Sequence, residues 1–312
     1  MAPVETYAKG PAGPFVRLAT GEASAATQHF PDLVGKVSLV CTSPPYTNAI
    51  SYDKHAATNR LGRTSENFRD RPPVQYNEYL DELDQIWAAC ARMLTPEGVL
   101  AINVGSVLHG GNHIPLPHDI TARLLASDEG WHTVTMITWN KVTAGVKRAG
   151  VVIQNPFPGY WYPNIMTEKI LIFSRVPGVA HPRKELRDYP AEWDEGIWDI
   201  APVPPRRIPH PAPFPEELPH RLICMFSRPG ELVLDPFNGS GTTTKAALDL
   251  ARNSLGIERE SAYTKFARQR LEQASLIRPK QLETRLASAS DVAAMKTRNQ
   301  QARQGSGKRR PH

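Results

Sequence analysis

Residues 231–258 read in succession as strand, glycine turn, helix and strand, and no other stretch of the chain so narrows the architectures open to it. Glu231-Leu232-Val233-Leu234 is a short apolar run of the kind that becomes a buried strand. Asp235-Pro236-Phe237-Asn238-Gly239-Ser240-Gly241 interrupts it, with Gly239 and Gly241 permitting a tight turn and close backbone approach. From Thr242 the run Thr-Thr-Thr-Lys-Ala-Ala-Leu-Asp-Leu-Ala starts a helix, whose free N–H groups face the carboxyl end of the strand. That is a site for a carboxylate or phosphate. The next apolar run, Ser254-Leu255-Gly256-Ile257, ends in Glu258, and in dinucleotide-type folds an acid there accepts hydrogen bonds from ribose hydroxyls. The turn lacks the Gly-Lys-Ser/Thr ending of a P-loop, which disfavours a triphosphate. Taken alone, it is also explained by glycines that do no more than turn the chain.

A second segment, Thr42-Ser43-Pro44-Pro45-Tyr46, follows the strand-like run Val37-Ser38-Leu39-Val40-Cys41. Consecutive prolines fix φ at both positions and remove two backbone donors, so the local carbonyls are left as unpaired acceptors. The Ser43 hydroxyl and Pro44 carbonyl can take the two N–H hydrogens of an amino group while Tyr46 stacks on the planar ring that carries it. Pro-Pro-Tyr in isolation also fits a polyproline turn or a WW-domain ligand. Its place at a strand end, inside core-forming sequence, favours the first reading.

Together these segments resemble the amino-methylating DNA methyltransferases, which modify the N4 of cytosine or the N6 of adenine. Ser43, Pro44, Pro45 and Tyr46 look like their catalytic motif, and Asp235 through Gly241 like their S-adenosylmethionine loop. The catalytic motif comes first, which is similar to the circularly permuted order of the family's beta group. His210-Pro211-Ala212-Pro213-Phe214-Pro215 with Leu218, Arg221 and Leu222 resembles the helix that covers the methionine end of the cofactor. The resemblance covers residues 30–272 and implies a doubly wound, Rossmann-like α/β sheet that uses S-adenosyl-L-methionine. It also implies that Thr42, Pro213, Phe214, Arg221, Asp235, Pro236, Phe237, Asn238, Gly239, Ser240, Gly241, Thr242 and Glu258 hold the cofactor. The expected organisation is an N-terminal segment at 1–29, a catalytic domain at 30–274 and a basic, flexible tail at 275–312.

Composition agrees with that assignment. A chain of 312 residues with 40% hydrophobic residues can bury one large α/β core. A formal net charge of +6 and a pI near 9.2 suit a polyanionic partner, here double-stranded DNA. No run approaches a membrane span, and Met1-Ala2-Pro3-Val4 lacks the charged-then-apolar pattern of a secretory signal, so a cytoplasmic setting in a bacterium, an archaeon or a phage-infected cell is expected. Cys41, Cys90 and Cys224 lie far apart in apolar sequence and read as core residues rather than disulfides or metal ligands. His109, His113 and His118 have no matching Cys or carboxylate cluster and read as a solvated loop with no metal.

Between the two motifs the chain alternates helix and strand. Tyr79, Leu80, Leu83, Ile86, Trp87, Cys90, Ala91 and Leu94 share one face of a helix over 76–94 that Pro96 and Gly98 close. Strands are expected at 99–104, 132–139 and 168–174, with a helix around 119–125. Trp139-Asn140-Lys141 and Tyr160-Trp161-Tyr162, with Lys147 and Arg148 nearby, read either as core aromatics or, because positive charge is interleaved with them, as DNA contacts through Lys141, Lys147 and Arg148. The family places target recognition at 176–208, a Pro-rich stretch holding Arg183, Lys184, Arg187, Arg206 and Arg207, with the loop at 47–74 and the hairpin at 142–165 sharing the task. Tail residues Lys280, Arg285, Lys296, Arg298, Lys308, Arg309 and Arg310 add phosphate attraction.

The implied chemistry needs no covalent enzyme intermediate, only a weakly nucleophilic amine held in line behind an activated methyl. Since that amine is buried in a duplex stack, the base must be flipped out. Ser43 favours cytosine N4 over adenine N6, because family members with Ser at that position are mostly cytosine-N4 enzymes. Protein-glutamine methylation is disfavoured, since the related loop there begins with Asn. A noncatalytic DNA-binding relative is the remaining reading. A cognate restriction endonuclease is a candidate partner, and the chain is expected as a monomer or homodimer.

Overall fold

Apolar runs alternating with amphipathic ones give the chain its elements, which the computed structural model describes over residues 4–8, 13–45, 74–109, 112–141, 166–178, 189–203 and 215–275. The first half comprises β1 (Val4–Ala8), β2 (Phe15–Thr20), the helical turn α1 (Ala26–His29), β3 (Val37–Thr42), α2 (Val74–Met93) and β4 (Leu94–Val104). After the short pair β5 (Val107–His109) and β6 (Asn112–Ile114) come α3 (Leu116–Ala126), β7 (His132–Asn140) and β8 (Thr167–Ser174). The last part holds β9 (Ile197–Asp199), α4 (Glu217–Phe226), β10 (Leu232–Asp235), α5 (Thr242–Asp249), β11 (Asn253–Glu258) and α6 (Ser261–Ser275). The chain divides into units Met1–Leu271 and Glu272–His312, and almost all described residues belong to the first.

Among the described residues the main sheet has nine strands in the order β1-β2-β11-β10-β3-β4-β8-β7-β9. β2, β11, β10, β3 and β4 run parallel, so their carboxyl ends share one edge. β8 is antiparallel to both of its neighbours, which leaves β7 aligned with the parallel set. Leu234 pairs with Val40, bringing the ends of β10 and β3 side by side. An edge where strands from distant parts of the sequence meet is where open α/β sheets bind their ligands.

Among the described residues two large cores cover the faces of the sheet, and a smaller cluster packs Val16 and Leu18 of β2 with Leu248, Ala267 and Leu271. One large core packs α2, through Leu80, Leu83, Trp87 and Cys90, onto Val40, Leu100, Ile102 and Leu234. The other packs α4 and α5, through Leu222, Ile223, Ala246 and Ala247, onto Leu39, Cys41, Val99, Ala101 and Val233. The apolar stripe expected on the first helix is therefore its buried face, although Ile86 is only partly covered. Burying each large aliphatic side chain of that stripe contributes about 1.5–3 kcal/mol.

Boundaries differ from expectation at three places. The helix ends at Met93 and Leu94 already pairs with Val37, so β4 begins before Pro96 rather than after Gly98. The sequence reading set residues 1–29 apart, yet β2 pairs in parallel with β11 from Val16 to Thr20 and β1 pairs with β2. Within the stretch 176–208, β9 pairs with β7, and Tyr189, Trp198 and Ile200 are buried in the second core. Periodicity does not reveal a strand as short as Ile197–Asp199; pairing to β7 defines it.

No described helix is long and apolar enough to cross a membrane. Cys41 and Cys90 are buried and Cys224 is half-buried, and among the described residues none of the three is in a disulfide. His113 and His118 have exposed side chains. The loop at 47–73, the hairpin at 142–165 and the tail from 276 lie outside the described residues.

Candidate functional site

The glycine turn sits where the sequence puts it, between β10 and α5. Gly241 takes φ 76° at the start of α5, and a Cβ there would come within 2.9 Å of Ala267 Cβ, so the position needs both the left-handed backbone and the missing side chain. The turn is held from several sides. Asn238 N–H donates to the Ile257 carbonyl (2.9 Å) and Gly241 N–H to the Asn238 carbonyl (2.7 Å). Arg270 of α6 donates to the Ser240 carbonyl (2.7 Å) and pairs with Glu216, which Lys245 of α5 also binds. Ser240 and Thr242 are buried, and Pro236 stands between the acid and Phe237.

Two carboxylates frame the turn. Asp235, 1% exposed at the end of β10, accepts hydrogen bonds from Thr42 Oγ1 (2.6 Å) and Phe237 N–H (3.1 Å). Burial pushes its pKa up to about 6, against the pull of the Thr42 hydroxyl and the Phe237 N–H. Glu258, at the end of β11, accepts from Gly239 N–H through Oε2 (2.8 Å) and from Glu260 N–H through Oε1 (2.9 Å). Its pKa is raised to about 7, again chiefly by desolvation. Beside them, Asn238 accepts from Thr244 Oγ1 (3.0 Å), and its Nδ2 is buried with no protein partner.

The second motif meets the first across the β3–β10 boundary. Thr42 ends β3 and reaches Asp235, and Ser43, Pro44 and Pro45 follow at the same edge. Pro44 is buried, Ser43 half-buried and Pro45 exposed. Tyr79 of α2 donates its hydroxyl to the Pro45 carbonyl (2.9 Å), and further along the same helix Trp87 meets Phe237 edge-on with ring centroids 6.1 Å apart. One helix thus touches both loops. Tyr46, Pro213, Phe214, Lys147, Arg148, Arg183, Lys184, Arg206 and Arg207 lie outside the described residues.

Two of the expected contact residues are turned inward. Lys141 forms an ion pair with Glu168 and lies 4.8 Å from the Trp139 ring centroid, its side chain 17% exposed, so its charge is already matched and it is not extended toward solvent phosphate. Arg221 pairs with Glu217 and stacks over Trp193 (5.3 Å) and Trp198 (5.1 Å), which directs its guanidinium toward the 189–200 segment.

Sequence reasoning missed Tyr79, Asn103, Glu168 and Arg270. Asn103 carried a signal, a polar residue near the end of the apolar run over 99–104, where β4 reaches the ligand-binding edge; Glu168, between Thr167 and Lys169, carried none. Tyr79 and Arg270 carried none, because helix periodicity assigns a residue to a face and not to a partner in a distant loop.

The chain matches the family model for DNA methylase over residues 37–269. It is 32% identical over 247 residues to the Type II methyltransferase M.MjaI of Methanocaldococcus jannaschii, covering 71% of this chain and 80% of the relative. The Type II methyltransferase M.MthZI of Methanothermobacter thermautotrophicus is 30% identical over 242 residues, 71% of this chain and 67% of its own length. Among solved structures, a protein of Thermus thermophilus assigned as a DNA modification methylase, complexed with S-adenosyl-L-methionine, superposes with TM-score 0.58 at 32% identity, covering 83% of this chain and 95% of that one. The cytosine-N4-specific PvuII DNA methyltransferase shares the fold, with TM-score 0.60 at 18% identity over 86% of this chain and 90% of its own.

Proposed function

Since the chain belongs to the DNA methylase family whose model spans its residues 37–269, we propose that it transfers a methyl group from S-adenosyl-L-methionine to the exocyclic amine of a base flipped out of double-stranded DNA, with cytosine N4 as the target. The observation that carries this reading is the Thr42–Asp235 hydrogen bond of 2.6 Å, which joins the amine-binding motif to the cofactor loop at one edge of the sheet.

The residues around the turn fit the cofactor. The carboxylates of Asp235 and Glu258, once ionised, suit its cationic and hydroxyl-bearing parts, the unpartnered Nδ2 of Asn238 is a donor in waiting, and Phe237 offers an aromatic edge. Gly239, Ser240, Gly241, Thr242 and Pro236 shape the wall, and Pro213, Phe214 and Arg221 belong to the covering segment. When bound, the cofactor supplies a sulfonium methyl, an electrophile that needs no further activation.

What the chain does is position and polarise the amine. Its nitrogen lone pair is conjugated into the base, so accepting both hydrogens at Ser43 and the Pro44 carbonyl favours the pyramidal nitrogen and offsets the positive charge that develops on it. Tyr46 replaces the stacking lost on flipping. Cys41 takes no part: it is 2% exposed and burial pushes its thiol pKa well above the usual range, which disfavours carbon methylation through a cysteine adduct. Ser43 rather than Asp at the head of the motif favours cytosine. The beta-group permutation, the cytoplasmic setting and a place beside a restriction endonuclease are part of the same proposal.

Single-molecule sequencing of DNA from a host that expresses the chain tests the reading. Methylation confined to one short recognition sequence is expected. Unmodified DNA from a host holding folded, cofactor-binding protein would favour a noncatalytic DNA-binding relative.

A further inference from the structure

The structure leaves one polar atom unexplained beside the amine-binding motif. Asn103 is 5% exposed, and its Oδ1 is buried with no hydrogen-bond partner. A buried acceptor without a donor costs about 1–3 kcal/mol, so it calls for a group that arrives later.

Its orientation is fixed. Asn103 Nδ2 donates to Glu168 Oε2 (2.6 Å), and the other oxygen of Glu168 takes the Lys141 ammonium, itself seated over Trp139. Gly105 makes room for that carboxylate, since a Cβ there would fall 2.9 Å from Glu168 Cγ. With the amide nitrogen committed, Oδ1 cannot exchange places with it. Such a chain of buried contacts specifies one side-chain position.

Its place is equally defined. β3 and β4 pair in parallel with Thr42, the last residue of β3, opposite Ile102, so Ser43, just beyond β3, and Asn103 of β4 follow side by side at the carboxyl edge. Asn103 alternates with Ala101 and Val99, and Ser43 with Cys41 and Leu39, and all four of these apolar residues belong to the same core face.

Chemistry supplies the missing donor. A serine hydroxyl can accept a hydrogen from an amine only when its own hydrogen points elsewhere, and neither prolyl residue after Ser43 offers an N–H or a side-chain acceptor. We propose that Asn103 is the positioning residue for Ser43: in the DNA-bound enzyme Ser43 Oγ–H donates to Asn103 Oδ1, which turns the Ser43 lone pair toward the target amine. Glu168 and Lys141 hold Asn103 for this task. The inference rests on the amino-methylation reading given above.

A mutant cycle on DNA methylation tests it. Asn103→Ala should lower kcat about tenfold with cofactor affinity unchanged, and should have no further effect in a Ser43→Ala background. Glu168→Gln, which keeps the volume but lets the Asn103 amide turn over, should lose rate in the same non-additive way. Equal losses in both backgrounds would mean a merely structural role and overturn the proposal. A crystal structure of the DNA complex decides the matter even where a variant is inactive or fails to fold: Ser43 Oγ within about 3.2 Å of Asn103 Oδ1 is expected, and a separation with another donor on Oδ1 would refute it. Absence of DNA methylation by the wild-type chain would instead contradict the proposed function.

Discussion

Thr42 donates its hydroxyl to the Asp235 carboxylate at 2.6 Å across 193 residues of sequence, and this contact fixes the spacing between the two loops of the site. The partner is a buried carboxylate, so the bond is charge-assisted and its loss leaves an acceptor short. Thr42→Val should destabilise the protein by about 1–3 kcal/mol in denaturant titration. It should also weaken cofactor binding in calorimetry, because Asp235 then ionises less readily. A variant as stable and as tightly binding as wild type would remove the link from the site.

Asp235→Ala should abolish most cofactor affinity while the fold persists. The carboxylate pays a desolvation penalty in the free protein, as its raised pKa of about 6 records, so replacing it need not destabilise the chain. Unchanged calorimetric affinity in a folded Asp235→Ala protein would sink the assignment of the glycine turn.

The pH dependence follows from the raised pKa values of Asp235, about 6, and Glu258, about 7. Folding raises both above their unfolded values, so between the unfolded range near 4 and the folded values the native state binds more protons than the unfolded one. Their contribution to the stability of the cofactor-free protein therefore declines as pH rises through that window. Cofactor binding has the opposite sign, because it uses the ionised forms. Affinity should tighten as pH rises from about 6 through 7 and level off by about pH 8, and Glu258→Gln should remove the upper inflection. An affinity flat across that range would contradict the carboxylate roles.

Arg221 separates two readings of the cofactor-covering helix. Its guanidinium is stacked over Trp193 and Trp198 and paired with Glu217. Arg221→Met should cost about 1–2 kcal/mol of stability in the cofactor-free protein through the lost cation–π contacts. If affinity falls with stability untouched, Arg221 acts on the cofactor rather than on the 189–200 segment.

The strands and turn that make the site were legible because they rest on local signals. Apolar runs, paired prolines and glycines announce strand ends and tight turns wherever they occur, and the residues from Asp235 to Gly241 stand where those signals put them. Pairing was not legible. That β2 would join β11, or that Ile197–Asp199 would extend the sheet beyond β7, depends on contacts between segments far apart in sequence. Lys141 shows the same limit for charge, since a lysine beside aromatics reads as a phosphate contact until Glu168 is brought alongside it.

Nonspecific DNA binding is expected to depend on the basic tail. Removing residues 276–312 should weaken affinity and flatten its decline with salt, because fewer counterions are released, while the recognition sequence stays the same. Binding measured between about 50 and 200 mM salt checks this. Loss of cofactor binding on truncation would contradict it.

Mass spectrometry of nucleosides from unmethylated DNA incubated with the chain and S-adenosyl-L-methionine tests the central claim most directly. N4-methylcytosine is expected with the wild-type protein and should fall below about 1% of that rate with Ser43→Ala, in which one amine hydrogen loses its acceptor. N6-methyladenine alone would overturn the choice of base, and DNA carrying neither modified nucleoside, or only C5-methylcytosine, would contradict amino methylation itself.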